Sequence, residues 1–183
     1  MLDSNQLERS HSEDRQGNWT RRTRYSLDQA LRREKAAALT GYSAPFELFE
    51  AWRENTKAPS ILNQTAFSDE TRPWFAQVDV TNWSPWQFSY RRHMSSPYGH
   101  FLGACLGETT ANHPFPSHVK SAMLEYYRCK LEMQPTYFEI EQAVNGIYRA
   151  YTRMMIPVPG QQGDATDVVY AIRYTAEPSS VPE

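Results

Sequence analysis

Apolar and polar positions change period several times along the 183 residues, and each change marks an element. After a polar start, Leu27, Ala30, Leu31, Ala37, Ala38 and Leu39 recur at helical spacing as a thin stripe. Ser26, with Gln29 three residues on, reads as a capping box, and Gly41 as the stop. Phe46, Phe49 and Trp52, with Leu48 beside them, predict a second helix from about Ala44 to Asn55. Residues 56–74, carrying Pro59 and Pro73, read as irregular. The period then drops to two. Phe75 to Thr81 alternates like a strand, "NWSP" supplies a turn, and Trp86, Phe88 and Tyr90 share one face of a second strand, so the two runs predict a hairpin.

From Met94 to Pro116, glycines and prolines break any period. The stretch reads as a loop with a turn or two of helix, of the length that is usually functional or mobile in a compact domain. Ser117 is the expected cap of a third helix running to about Met133, with Val119, Met123, Tyr126 or Tyr127, and Leu131 near helical spacing. Three strands follow, Thr136 to Val144, Ile147 to Val158 and Asp167 to Thr175, the first two joined by Asn145-Gly146, a strong type I′ hairpin signal. This order predicts an α+β domain over residues 44–175, a five-stranded antiparallel sheet with helices packed on one face, preceded by an extra N-terminal helix in 26–43. Residues 1–25 are polar and mixed in charge and predict a flexible arm, and 176–183 a disordered tail.

Composition narrows the class of function. Aromatics at 13% against a hydrophobic content of 40% and a mean hydropathy of −0.69 predict a core of few, large side chains. Nineteen basic and 21 acidic residues leave a net charge of −2, too balanced to predict nonspecific nucleic-acid or anionic-membrane binding. No apolar run approaches the roughly 18–20 residues that span a bilayer, and the N-terminus lacks an apolar signal core, so a cytoplasmic protein is expected. Cys105 and Cys129 lack C-x-x-C spacing and are expected as buried, reduced thiols.

Two strands, a helical excursion and a three-stranded meander are the element order of PAS domains. The chain resembles a divergent group of small bacterial PAS proteins in "FELFEAWRENTKAPS", "FAQVDVTNWSPWQFSYRRHM", "GHFLGACLGETTANHP" and "YRAYTRMMIPVPGQQGDATDVVYAIR", together spanning about residues 44–174. It departs at "YRRHMSSPYG", where a glycine-threonine pair would be expected after the arginine. The resemblance implies a noncatalytic sensory or regulatory module that binds a small ligand or a protein partner and signals through a homodimer or protein contact. No cofactor is predicted, although the resemblance leaves room for haem or flavin.

Under that reading the pocket candidates are Phe88, Tyr90, Phe138, Ile140, Tyr148, Thr152 and Met154, with ordinary core as the plain alternative. Arg91, Arg92 and His93, ending a strand beside the glycine-rich loop, are the anion-binding candidates. Arg149 and Arg153 share a strand face and could clasp a carboxylate or phosphate, or lie on solvent and pair with Glu139 and Glu141 across the hairpin. His93, His100, His113 and His118 show no ligand spacing, so no metal site is predicted. No nucleophile motif is present, and "GHFLGACLGETT" lacks the G-K-[ST] ending of a phosphate loop. A second reading is a small cavity enzyme of the ketosteroid-isomerase-like cone fold, with Asp79 or Glu139 as base and Tyr90 or Tyr151 as donor. A third, a DNA-associated adaptor, would use the basic runs "RRTR" and "LRREK".

Overall fold

The computed structural model describes residues 8–54, 68–92, 109–112 and 116–181. In chain order these form β1 (Glu8–Glu13), β2 (Trp19–Tyr25), α1 (Leu27–Thr40), α2 (Ala44–Glu54), β3 (Phe75–Asp79), β4 (Ser89–Arg92), α3 (Pro116–Glu132), β5 (Thr136–Val144), β6 (Ile147–Pro159) and β7 (Ala165–Ser180). The strands make one antiparallel sheet in the order β1-β2-β5-β6-β7-β3-β4. Its central strand is β6, joined to β5 by a turn in which Asn145 and Gly146 both take positive φ, 53° and 70°, as a type I′ turn requires. β7 pairs with β6 on one side and β3 on the other.

Both faces of the sheet are covered, which corrects the expectation of helices on one face. α1 and α2 bury Ala30, Ala44, Leu48 and Phe49 against Tyr137, Met154, Ile156 and Val169. α3 buries Ala122, Tyr126 and Cys129 against Phe138, Ile140, Tyr151, Met155 and Tyr170 on the other side. The reason lies in the strands themselves: Met154-Met155-Ile156 in β6 and Val168-Val169-Tyr170-Ala171 in β7 are apolar at consecutive positions, so each face presents a hydrophobic surface that needs a cover.

The five expected strands are β3 to β7, but the sheet has seven. Residues 8–25, expected as a flexible arm, supply β1 and β2, and β2 pairs along β5 from Trp19↔Ala143 to Tyr25↔Tyr137. The charges that suggested a solvated arm have partners inside the fold. Arg22 is buried against Glu125, Arg24 lies 2.6 Å from Glu132, and Arg21 stacks over Trp19 at 5.1 Å. Of the segment expected as a tail, residues 176–180 continue β7.

α1 begins as expected: Ser26 accepts from the Gln29 amide and Gln29 reaches back to the Ser26 amide. Its stripe is thin because Glu34, fully buried, occupies the position an apolar residue would take. α3 starts at Pro116, so Ser117 lies within the helix rather than capping it, and Leu131 is exposed. β4 starts at Ser89. Phe88 and Tyr90 are buried, whereas Trp86 sits in a single 3₁₀ turn with its ring half-exposed. Lys130 reaches from α3 to the carbonyls of Val80, Thr81 and Asn82 at 2.5, 3.3 and 3.0 Å and holds the β3–β4 connection against the helix. Among the described residues no helix is long and apolar enough to cross a membrane.

Candidate ligand-binding face and its buried arginine pair

The alternation of three neighbouring strands builds the site under α3. β2 turns Thr20, Arg22 and Arg24 to this face, β5 turns Phe138, Ile140 and Gln142, and β6 turns Tyr151, Arg153 and Met155, as the register Arg22↔Ile140 and Phe138↔Arg153 requires. Glu125 descends on them from α3. Arg22 Nε lies 2.7 Å from one carboxylate oxygen, and Arg153 Nη2 contacts the other. All three side chains are more than nine-tenths buried.

Two guanidiniums thus share one carboxylate in a low-dielectric setting. Both contacts are within ion-pair range but lack hydrogen-bond alignment. Arg22 Nη2 and Arg153 Nε have no hydrogen-bond partner among the described residues. Burial, with the neighbouring Arg22 charge, pushes Arg153 down to about 10, and burial lowers Arg22 as well. Arg153 is still charged at neutral pH. Its guanidinium also faces Tyr126 and Tyr170 at 5.6 and 5.8 Å, and these two rings stack with centroids 5.8 Å apart. Burial, then the neighbouring Tyr170 and Tyr90, raises Tyr126 well above the usual phenol range, so it serves as a neutral hydrogen-bonding group.

A groove runs beside this cluster between the β1–β2 hairpin and α3. One lobe, about 260 Å³, has Ser10, Arg22, Glu125 and Phe138 in its walls. The adjoining lobe, about 280 Å³, adds Thr20, Lys120 and Val144, and the two share Ser12, Ser121 and Leu124. Ser10 and Ser12 are the register partners of Arg22 and Thr20, so short hydroxyl side chains stand where longer ones would fill the space.

The opposite face carries a second buried carboxylate. Glu34 accepts from Ser43 Oγ at 2.6 Å, from the Tyr137 hydroxyl at 2.5 Å, and from Arg173 Nε and Nη2 at 2.8 and 2.9 Å. Burial alone would raise its pKa, but the bonds from Arg173, Ser43 and Tyr137 outweigh it and hold the carboxyl below its usual range. Beside Arg173 lies an open cleft of about 480 Å³ walled by Tyr42, Trp74 and Tyr174.

The structure divides the expected pocket residues. Phe88, Tyr90, Phe138 and Ile140 belong to the α3 face, whereas Thr152 and Met154 lie on the α1–α2 face, with Tyr148 near Trp19 on that side. A single pocket lined by all seven is therefore corrected: a two-residue turn pairs Val144 with Ile147, so odd positions of β6 share a face with even positions of β5. The same register corrects the solvent-facing pairing of Arg149 and Arg153 with Glu139 and Glu141. Those arginines stand opposite Gln142 and Phe138 and are buried.

Arg91 is half-exposed, pairs with Asp79 at 2.6 Å and lies 3.4 Å from Asp167. Arg92 is placed only by its backbone, and His93 lies outside the described residues. His100, His113 and Cys105 also lie outside them, and His118 is placed only by its backbone in α3. Among the described residues no group of three or more metal-ligating side chains converges. Cys129 is buried and its thiol is pushed up to about 12 by that burial. Of the groups considered for a cone-fold enzyme, Asp79 and Glu139 lie on the α1–α2 face of their strands and Tyr90 and Tyr151 on the α3 face. Burial raises Asp79, but bonds from Thr81 and Arg91 outweigh it and leave the carboxyl below its usual range.

Glu125, Arg22 and Glu34 escaped the sequence reading. The first had a signal: Glu125 falls among Val119, Ala122, Tyr126 and Cys129, a buried helical stripe in which a carboxylate needs a cation. No family model matches the chain, and no curated protein or solved structure matches it.

Proposed function

We propose that the chain is a noncatalytic, PAS-like sensory or regulatory module that binds a small ligand or a protein partner and passes its state on through dimerisation or protein contact. The observation that carries this reading is the α3 face, where a groove lined by Phe138 and Arg22 adjoins a buried arginine pair with charge to spare. The β3–β4 hairpin, the excursion containing α3 and the β5–β6–β7 meander keep the element order on which the resemblance rests. The added β1–β2 hairpin and the cover on both faces depart from it.

Against the enzyme reading stands the placement of its groups. A base and a phenol donor have to converge on one substrate, and here the sheet lies between the Asp79 and Glu139 side and the Tyr90 and Tyr151 side. Glu139 is instead engaged by the Tyr25 hydroxyl at 2.6 Å and Arg33 at 3.0 Å. Within the basic runs invoked for nucleic acid, Arg22, Arg24 and Arg33 are in ion pairs.

Native mass spectrometry of the purified chain, compared with the same sample after denaturation, tests the reading. It predicts a noncovalent small molecule, a dimer, or both. A bare monomer that gains no mass from ligand mixtures and pulls down no partner would contradict it.

A further inference from the structure

We propose that the groove between the β1–β2 hairpin and α3 binds a small organic carboxylate with an apolar body, its carboxylate held by Arg22. This rests on the binding-module reading and specifies the chemistry of its ligand.

Charge is the first ground. Arg22 and Arg153 converge on Glu125, which leaves one positive charge in excess within the buried cluster. An uncompensated charge away from water is costly, and a second carboxylate is the group that offsets it. The second ground is an unused donor: Arg22 Nη2 is shielded from water and has no hydrogen-bond partner among the described residues. A guanidinium fork with one edge already turned to a carboxylate can offer the free one to another once the side chain turns it toward the groove that Arg22 lines.

The third ground is space. Arg22 forms part of the groove wall, in a lobe of about 260 Å³ that continues into one of about 280 Å³. Such volumes suit a molecule of modest size rather than a polymer. Ser10, Ser12 and Ser121 line the groove with hydroxyls, and Leu124, Phe138 and Val144 with apolar wall. Of the acidic groups also in the walls, Glu8 is paired with Arg128 and Arg24, and Glu13 lies 3.8 Å from His11 beside a lobe that Lys120 also lines. A bare inorganic anion would leave that apolar wall unused, so a carboxylate with a hydrocarbon body fits better.

Benzoate and hexanoate, with benzamide and hexanol as neutral counterparts, are the probes. Thermal unfolding and isothermal titration of the full chain are expected to show saturable stabilisation by both acids and none by their neutral counterparts. Arg22→Met leaves Glu125 with one arginine and is expected to weaken the acids by about tenfold or more. Ser10→Leu fills the groove from an exposed strand and removes no charged group, so it tests the space independently of the charge, and a similar loss is expected.

Failure of the acids to bind the wild type, equal binding by the neutral analogues, or undiminished binding to Arg22→Met or Ser10→Leu would overturn the proposal. Phosphate binding as tightly as benzoate would overturn the organic body specifically. If the acids do not bind while native mass spectra show a neutral ligand or a dimer, this inference falls and the binding-module reading stands.

Discussion

Two buried carboxylates, one on each face of the sheet, face different company. Glu34 is enclosed by α1, β5 and β7, and both its oxygens are used by Ser43, Tyr137 and a two-pronged Arg173. Glu125 meets two arginines without aligned hydrogen bonds, next to a groove. The first has its donors matched to its acceptors and its charge to one partner. It ties the helical layer to the sheet. The second is short of one negative charge. A buried polar cluster that is complete serves the fold, whereas one left short of a partner beside an opening is poised to take up that partner from outside.

The largest expected effect lies on the complete side. Glu34→Ala strands Arg173 and two hydroxyls and is expected to cost about 3–5 kcal/mol in urea unfolding. Loss of less than about 1 kcal/mol would mean the network adds little to the fold. Next, Glu125→Gln leaves Arg22 and Arg153 facing each other without a counter-ion, and a loss of about 3 kcal/mol is expected. Chloride or sulfate should restore part of it if the arginines are the cause.

The pH dependence separates the faces further. Glu34 has a folded-state pKa below its ordinary 4.5, so its contribution is present above that value and is lost as pH falls through the depressed one. Unfolding midpoints measured from pH 6 down to 3 should therefore drop more steeply for the wild type than for Glu34→Gln. Parallel slopes would show that Glu34 is not the group being titrated.

The smallest effect tests the turn that sets the two faces. Gly146 has φ +70° and open space around its Cβ position, so Gly146→Ala strains only the backbone and should cost about 1 kcal/mol. A larger loss would mean that the register itself has slipped.

Much of the fold was legible in local signals. The capping box at Ser26, the α2 stripe and the Asn145-Gly146 hairpin all depend on neighbours in sequence, and all are found. The two-faced cover, where helices on one face were expected, had its signal in the consecutive apolar positions of β6 and β7. The parity of the hairpin followed from the same turn, since a two-residue loop puts Phe138 beside Arg153 and not beside Met154.

What was not legible depends on partners far apart in sequence. Residues 8–25 look like a solvated arm until Arg22 finds Glu125 and β2 finds the edge of β5. Glu34 looks like a surface charge on a weak stripe until Arg173 of the last strand arrives. Pattern alone cannot distinguish a charge that faces water from one that faces a distant opposite charge. The α3 face held the harder half of the candidate site for this reason.

The comparison is tested most directly by replacing one arginine on each face and measuring stability in urea side by side. Arg173→Met strips Glu34 of its only ion-pair partner among the described residues and should lose about 2 kcal/mol or more. Arg22→Met removes the surplus charge and leaves Glu125 paired with Arg153, so it should match the wild type or exceed it by about 1 kcal/mol. Equal losses in the two variants would contradict the account, because Arg22 would then be as fully committed to the fold as Arg173.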